Sequence, residues 1–193
     1  MPAALLEKDE LIARLMVLFR RNGYDGTSLS DVSAATGLGK SSLYHHFPGG
    51  KEAMAEAVLA QLTSRLTPVF AALHDERTPA EKLDGLIAAL RALYDDGRNP
   101  CLLERLCASV DRSRFAAPLA ATFRAVIGAF EGLGREAGID SAEARLRAED
   151  AVVRIEGSLI VAAGTGEPRV FQRAVENIRA TLLARQPRRL RRR

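Results

Sequence analysis

The polar side chains between Lys40 and His45 offer hydrogen-bonding chemistry. Read at 3.6 residues per turn, Leu43 and Phe47 share one side of a helix, and short or aromatic polar residues occupy the opposite side. That polar side consists of Ser41, Ser42, Tyr44 and His45. It suits the major groove of duplex DNA, because short hydroxyls let the backbone approach while longer side chains reach phosphates or base edges.

Two lysines flank this polar surface. Lys40 opens the same helix, and Lys51 follows the break formed by Pro48-Gly49-Gly50. Each cation is placed to contact phosphates on either side of a groove, helped by the amides of the helix N-termini. We therefore expect a DNA-reading segment here. A merely solvated lysine, or a tyrosine that covers the core, is the alternative interpretation of any one residue taken singly.

No catalytic constellation accompanies this surface. The chain has two cysteines and three histidines, which fit no recognised spacing for a four-ligand zinc site. It also lacks a nucleophile beside a base, a phosphate-cradling glycine loop and a plausible acid pair. The sequence predicts a protein that is not an enzyme and needs no cofactor or metal.

The two cysteines, Cys101 and Cys107, are six residues apart in the sequence and on a helix would point to different faces. A disulfide between them is not expected. We interpret Cys107 as a small buried side chain, and a redox-sensing thiol is the alternative.

Net charge does not identify the partner. The 193 residues carry a net charge of +4, but residues 1–60 hold six Lys or Arg against seven Asp or Glu. The excess lies in the Arg-rich segment 187–193 at the end of the chain. We expect that segment to be a disordered, solvated tail, and a salt-sensitive contact with phosphates is the alternative.

The elements that must position the polar surface are three helices. Leu11, Leu15, Leu18 and Phe19 give an apolar face to a helix from about Lys8 to Asn22, which stops at Gly23. A second, short helix follows the Ser28 cap and ends at Gly37, and a third runs from Lys40 to about His46. Such short helices are unstable alone and must pack on the first one. We expect their shared core to contain Val32, Leu38, Leu43 and Phe47. This is a helix-turn-helix arrangement.

The rest of the chain is also helical in pattern. A long helix begins at Lys51, and about five more follow, with boundaries expected at Pro68, Asn99-Pro100 and Pro118 among others. Thr78-Pro79-Ala80-Glu81 combines a hydroxyl cap, an N-terminal proline and a glutamate at the third helical position. No strand pattern or internal repeat competes, so the predicted class is all-α. The apolar runs are too short for a membrane span and no signal peptide is evident, so we expect a cytoplasmic protein.

The last two predicted helices show apolar faces that need a partner. Residues 142–163 carry one apolar stripe for their own domain and a second stripe roughly 120° away. The final helix, from about Pro168 to Arg185, repeats the pattern. A two-fold dimer is the commonest solution, and a buried central helix in a monomer is the alternative. The expected interface residues are Val153, Gly157, Ile160, Gly164, Phe171, Val175, Ile178 and Leu182.

The strings Thr27–Val32 and Gly37–Phe47 strongly resemble the DNA-binding segment of TetR-family transcriptional repressors. The segments Pro48–Met54 and Pro100–Leu103 look like the LmrA/YxaF-like subgroup of that family. The resemblance implies that the DNA-contacting residues are Thr27, Ser28, Lys40, Ser41, Ser42, Tyr44, His45 and Lys51. Gly39 departs from the usual serine cap, and acids open the first helix where many members carry a base.

The same resemblance implies an all-helical homodimer with an N-terminal three-helix, helix-turn-helix DNA-binding domain at residues 1–50. Residues 51–186 would form a larger ligand-binding and dimerisation domain. The expected activity is repression at a palindromic operator, relieved by a small hydrophobic or aromatic inducer. An activator, a thiol-based redox regulator and a protein-interaction bundle are the alternatives. The candidate ligand-binding residues are Phe70, Leu90, Leu93, Tyr94, Leu103, Leu106, Cys107, Phe123, Val126 and Ile155.

Overall fold

The structure, a computed structural model, describes residues 7–110 and 112–184. Across those residues it has nine α-helices and no strand, which confirms the predicted all-α class. The helices are α1 (Lys8–Asn22), α2 (Leu29–Thr36), α3 (Lys40–His46), α4 (Gly50–Ala71), α5 (Pro79–Leu93), α6 (Leu102–Cys107), α7 (Ala116–Glu136), α8 (Ser141–Thr165) and α9 (Arg169–Thr181). Short 3₁₀ turns occur at Ala72–His74, Asp95–Gly97 and Arg112–Phe115. The Arg-rich segment 187–193 lies outside the described residues.

Local capping explains where several of these helices begin. The Ser28 hydroxyl accepts from the Asp31 backbone N–H, and the Asp31 carboxylate accepts from the Ser28 backbone N–H, which is a complete capping box. Thr78 and Glu81 form the same motif at α5, with Pro79 as the first helical residue. Both starts were predicted from the sequence and are confirmed. They satisfy amides that have no partner inside the helix.

Four boundaries differ from the prediction. Helix α4 begins one residue early, at Gly50, and continues through Pro68 to Ala71. Pro68 lies on an exposed face, so solvent reaches the carbonyl that the proline leaves without an intrahelical donor. Helix α9 ends at Thr181 rather than near Arg185. Pro118 does not end a helix but stands in the first turn of α7, where a missing N–H costs no intrahelical bond.

Helix α7 meets the minimum length and composition for a membrane span, with a mean hydropathy of 1.2 in its most apolar window. This differs from the sequence-based expectation that no segment is apolar enough to span a membrane. Core helices of soluble proteins can have the same length and composition. Leu119, Phe130 and Leu133 of α7 are buried within the protein, which accounts for part of its apolar character.

The described chain forms two compact units. The first consists of residues 7–68 with residues 100–122, apart from residue 111. Within it, α1 packs against α2 and α6, and α2 packs against α3. Its apolar side chains with no exposed surface are Leu11, Leu15, Phe19, Val32, Leu43, Met54, Ala55, Val58, Leu106 and Phe115. Of the predicted three-helix core, Val32, Leu43 and Phe47 are buried and Leu38 is half-buried.

The second unit consists of residues 69–99 with residues 123–184. Helix α8 packs along α9, and α5 also contacts α9. The inner stripe of α8, which was predicted to serve its own domain, is buried: Ala148, Val152, Ile155 and Leu159. These units are defined by packing alone, so the functional division at residue 50 stays a prediction.

Candidate nucleic-acid interface

Helix α3 presents one buried and one exposed side. Leu43 has no exposed surface, and Phe47, which follows the helix, is 3% exposed. The polar residues predicted to read DNA all lie at the surface: Lys40, Ser41, Ser42, Tyr44 and His45. Tyr44 is 47% exposed, so its ring is not part of the core. The structure thus brings the five predicted residues of this helix onto one accessible surface, which we call the α3 surface.

The start of α3 lacks a side-chain cap. Gly39 occupies the N-cap position with extended backbone angles, φ −71° and ψ 163°, and no side-chain hydrogen bond is made there. The absence of a serine cap, noted in the sequence, therefore leaves the start of α3 without a side-chain hydrogen bond. Its cost is a few tenths of a kcal/mol relative to serine, by analogy with measured caps.

Tyr44 also contacts the first residue of α4. A Cβ atom placed on Gly50 would lie 3.4 Å from Tyr44 Cε1, so the ring rests against the backbone at Gly50. Gly50 has φ +64°, in the left-handed region that favours glycine. The segment Pro48-Gly49-Gly50, predicted to end α3, therefore has a second role. Its last residue, Gly50, packs against the Tyr44 ring on the α3 surface.

Thr27 and Ser28 use their side chains locally. Thr27 is 1% exposed, and its hydroxyl donates to the Gly23 carbonyl at 2.7 Å. The Ser28 side chain is exposed, but its hydroxyl donates to the Asp31 carboxylate at 2.6 Å within the capping box. These bonds with Ser28 hold the pKa of the Asp31 carboxyl below its ordinary value of 3.8.

Lys51 is half-buried and its ammonium is already engaged. It donates to the backbone carbonyls of Tyr24 and Thr27, at 2.9 Å in both cases. Its Nζ also lies 4.3 Å from the centroid of the Tyr24 ring. Since an ammonium has three N–H donors, one remains for a phosphate. The sequence did not suggest the carbonyl contacts, because nothing local to Lys51 indicates where Tyr24 lies.

A surface concavity of about 480 Å³ joins these features. The start of α2, at Ser28 and Leu29, forms one part of its wall, and Tyr44 and Lys51 form another. Four of the eight predicted DNA-contacting residues therefore line a single depression beside α3: Thr27, Ser28, Tyr44 and Lys51. Its dimensions and donors suit the sugar-phosphate backbone next to a groove-bound helix.

The acids at the start of α1 are partly compensated. Glu10 forms an ion pair with Arg14, and the same arginine donates to the Ala35 carbonyl of α2 at 3.4 Å. Glu7 and Asp9 remain exposed. Where many family members carry a basic residue at the start of this helix, the present chain therefore exposes mainly two carboxylates, those of Glu7 and Asp9.

The candidate ligand-binding residues are divided between the two compact units. Leu103, Leu106 and Cys107 belong to the first compact unit, and the other seven belong to the second. In the second unit a cavity of about 300 Å³ includes Phe70, but none of the other six candidates there. The remaining residues of its lining are Leu73, His74, Ala125, Gly128, Ala129, Gly132, Leu133 and Glu136. The alanines and glycines of α7 were missed, although four small residues at helical spacing are the sequence signal for a groove.

One residue of this lining, Glu136, forms an ion pair with a buried lysine. Lys82 of α5 is only 3% exposed, and its Nζ lies 2.7 Å from Glu136 Oε1. A lysine this buried must keep an anionic partner, because an uncompensated charge in an apolar interior is costly. The cavity therefore combines an apolar wall with a carboxylate and the imidazole of His74.

Cys107 is exposed, whereas Cys101 is buried. The expectation that Cys107 is a buried side chain is wrong. Cys107 is the last residue of α6, and the buried residues of that helix are Leu102, Leu103 and Leu106. Neither cysteine forms a disulfide, as the sequence predicted.

The predicted dimer residues divide between two environments. On α8, Val153 is 69% exposed and Ile160 is 54% exposed, and Gly157 and Gly164 lie at the surface between and beyond them. On α9, Phe171, Val175 and Ile178 are buried, as is Leu182 just after the helix. The apolar side of α9 is already covered within the same chain, where the helix packs on α8 and α5. Of the predicted set, only the exposed residues of α8 remain available to a second copy.

Part of this chain matches a known family and two named regulators. Residues 11–58 match the model described as bacterial regulatory proteins, tetR family. The HTH-type transcriptional regulator LmrA of Bacillus subtilis is 30% identical over 88 residues, which cover 45% of this chain and 47% of LmrA. IcaR of Staphylococcus epidermidis, named as the negative transcriptional regulator of the biofilm operon icaADBC, is 39% identical over 51 residues. That match covers 26% of this chain and 28% of IcaR, so the chain spans less than half the length of either relative.

Solved structures share the fold over nearly the whole chain. A TetR transcriptional regulator from Legionella pneumophila superposes with a TM-score of 0.82 at 21% identity, over 94% of this chain and 99% of that chain. A TetR-family regulator from Agrobacterium tumefaciens gives a TM-score of 0.77 at 22% identity, over 89% of this chain and 95% of that chain. Identity this low supports the fold and not a shared ligand or operator.

Proposed function

Because residues 11–58 match the model of the tetR family of bacterial regulatory proteins, we propose that this chain is a ligand-responsive transcriptional repressor of that family. It acts in the cytoplasm as a homodimer on a palindromic operator. A small hydrophobic or aromatic inducer releases it from DNA. The observation that carries the proposal is the α3 surface, where polar side chains face solvent while Leu43 anchors the helix in a closed core.

In this proposal the α3 surface enters the major groove. Ser41 and Ser42 are short enough for close approach of the helix, and Tyr44 and His45 reach base edges or phosphates. Lys40 and the remaining N–H of Lys51 contact phosphates. Ser28 lies at the phosphate backbone with the first amides of α2, and Thr27 contributes by holding the turn that precedes them.

A dimer supplies the second reading helix. Two copies of α3 would occupy successive major grooves about 34 Å apart on a palindromic site. We restrict the proposed interface to the exposed face of α8, which contains Val153, Gly157, Ile160 and Gly164. The two glycines leave open space on that face, so a second helix can approach closely between the larger side chains.

Induction requires a conformer that binds the inducer more tightly than the DNA-bound conformer does. A ligand shifts such an equilibrium only by its differential affinity for the two states. The cavity of about 300 Å³ beside Phe70 and α7 is the proposed inducer site, since its apolar wall fits a small hydrophobic or aromatic molecule. Because the thiol of Cys107 is exposed, thiol-based regulation is a second candidate function. Measuring DNA binding after the thiol is blocked would test it.

The experiment begins with the DNA upstream of the coding sequence. An inverted repeat found there is used as a labelled duplex in gel-shift assays, with a scrambled duplex as the competitor. We expect specific retardation that weakens steeply with salt. Tyr44→Ala should lower affinity for the repeat without unfolding the protein. Val17→Ala, an exposed position on α1, is the matched surface control. Equal binding of the repeat and the scrambled duplex by the wild-type protein would refute the proposal.

The same probe distinguishes repression from activation. A reporter gene placed downstream of the repeat should be less active when the protein is present, and activity should return with an effective lipophilic compound. Higher reporter activity in the presence of the protein would support the activator alternative instead.

A further inference from the structure

We propose that Phe115 and Tyr24 are positioning residues for DNA reading, so that the segment ending at Phe115 helps to hold the helix-turn-helix ready for its operator. Phe115 lies far along the chain from the predicted DNA-binding domain at residues 1–50. The inference rests on the proposed function and adds a residue that touches no DNA. It concerns the first compact unit alone.

The two rings meet directly. Their centroids are 5.0 Å apart with an interplanar angle of 73°, an edge-to-face arrangement. Phe115 has no exposed surface, and Tyr24 is 9% exposed. Tyr24 also lies near Phe19 of α1, at 6.1 Å between centroids. A buried edge-to-face pair of this kind favours one relative orientation of its rings, so Phe115 limits where Tyr24 can lie.

A hydrogen bond ties the same two segments together a few residues away. The backbone N–H of Val110 donates to the Asp25 carboxylate at 2.7 Å. The turn at residues 23–27 is therefore held at two successive residues, Tyr24 and Asp25, by Phe115 and Val110. Two attachments of different chemistry at neighbouring positions restrain both the place and the orientation of the turn.

From this turn, contacts lead to the α3 surface. Tyr24 and Thr27 supply the carbonyls that hold the Lys51 ammonium, and the Tyr24 ring lies beneath it. Lys51 adjoins Gly50, against which the Tyr44 ring rests. In the other direction along the chain, Thr27 leads straight into the Ser28 cap of α2. The Phe115–Tyr24 pair therefore lies close to the residues that support α2 and α3. Tyr24 contacts Lys51, which adjoins the support of Tyr44 on α3, and its turn leads into the Ser28 cap of α2.

The physical consequence is a loss of preorganisation when the pair is broken. Without the Phe115 ring, the turn at residues 23–27 gains conformational freedom. The side chains of Lys51 and Ser28, which that turn positions, gain conformational freedom as well. Binding to DNA must then restore their order, which lowers affinity without removing any direct contact. A phosphate-contacting lysine behaves differently, because its removal also reduces the salt dependence of binding.

The test uses the full chain and a duplex selected from a random-sequence library by the wild-type protein. Affinity is measured by fluorescence anisotropy for the wild type, Phe115→Leu, Tyr24→Leu and the double variant. Phe130→Leu is the matched control, since Phe130 is an equally buried phenylalanine in the second compact unit. We expect Phe115→Leu to weaken operator binding about threefold to tenfold, the scale of one aromatic pair. Its salt dependence should equal that of the wild type.

The double variant decides whether the two residues act together. We expect it to bind no more weakly than Tyr24→Leu alone, since the ring pair is already broken there. Phe130→Leu should lower the thermal midpoint but leave affinity unchanged. Wild-type affinity in Phe115→Leu, additive effects in the double variant, or an equal decrease in Phe130→Leu would overturn the inference.

A second variant covers the case in which Phe115→Leu does not fold, as judged by circular dichroism. Phe115→Met then takes its place, because methionine is a flexible apolar side chain of intermediate size. The same outcomes apply to it. If the wild-type protein selects no duplex at all, the proposed function fails, and that result is distinct from failure of the positioning role.

Discussion

The ammonium of Lys51 lies 4.3 Å from the centroid of the Tyr24 ring and donates to the carbonyl oxygen of the same residue at 2.9 Å. One side chain thereby holds the turn after α1 to the first turn of α4. A lysine in this position contributes to stability whether or not DNA is present. Its role differs from that of Lys40, which is exposed at the start of α3.

We predict that Lys51→Met lowers both stability and operator affinity. Methionine keeps an unbranched apolar stem but removes the cation over Tyr24 and the donor to the Thr27 carbonyl. The free energy of unfolding should fall by about 1–3 kcal/mol. Urea unfolding and anisotropy binding measure the two effects.

The control for that prediction is Lys40→Met. Its free energy of unfolding should stay within about 0.5 kcal/mol of the wild type, because the side chain is at the surface. Its operator affinity should fall, and the salt slope of binding should decrease by about 1, because one phosphate is no longer neutralised. Unchanged stability in Lys51→Met would contradict the role assigned to its carbonyl contacts.

We predict that Gly39→Ser stabilises the protein by a few tenths of a kcal/mol. Gly39 has ordinary backbone angles, and a Cβ atom there meets nothing within 4 Å, so a serine hydroxyl can cap α3 without strain. Gly37→Ser is the matched comparison. Gly37 has φ +74°, so the same substitution there should destabilise by about 1–2 kcal/mol. Thermal unfolding that ranks the two variants in the opposite order would show the capping argument to be wrong.

We predict an acid-dependent decrease in stability from the α2 cap. Bonds from Ser28 lower the pKa of the Asp31 carboxyl in the folded protein below its ordinary value of 3.8. A carboxyl whose pKa is lower in the folded protein stabilises it at a pH above the pKa of the unfolded chain. This contribution disappears as the pH falls through the pKa of the folded protein. NMR titration of the Asp31 carboxyl measures the pKa directly.

The variant Asp31→Asn tests the same point through unfolding. Its stability should fall less steeply than that of the wild type as the pH drops below about 4. Asp9→Asn removes a carboxylate from the first turn of α1, where no side-chain cap bond is made, and serves as the control. Identical acid profiles for Asp31→Asn and the wild type would exclude the contribution.

We predict that Ile160→Glu dissociates the proposed homodimer. A carboxylate at the centre of an apolar interface would be buried without a partner, which costs several kcal/mol. Val17→Glu introduces the same charge at a similarly exposed valine of α1 and should leave the assembly intact. Sedimentation velocity at matched concentrations measures both. A wild-type protein that sediments as a monomer, or an Ile160→Glu variant that stays dimeric, would remove α8 as the interface.

Local rules were sufficient for much of the fold. Hydroxyl caps at Ser28 and Thr78, together with glycines at helix ends, predict where helices begin and stop because they satisfy backbone groups within a few residues. The side of α3 that faces solvent also follows from the sequence, since the period of the helix separates Leu43 from Tyr44. Pro68 shows the limit of such rules, because a proline's effect on α4 depends on whether water reaches the carbonyl it leaves free.

The sequence by itself determined the helical class, the α3 surface and the presence of two apolar stripes on α8. It could not determine what covers an apolar face, because periodicity identifies the face and not its neighbour. Only the tertiary structure decided that Phe171 and Val175 face the core while Val153 and Ile160 face solvent. The same holds for Lys51 on the Tyr24 carbonyl and for Phe115 on the Tyr24 ring. Those contacts join residues far apart along the chain, and packing of the whole unit brings them together.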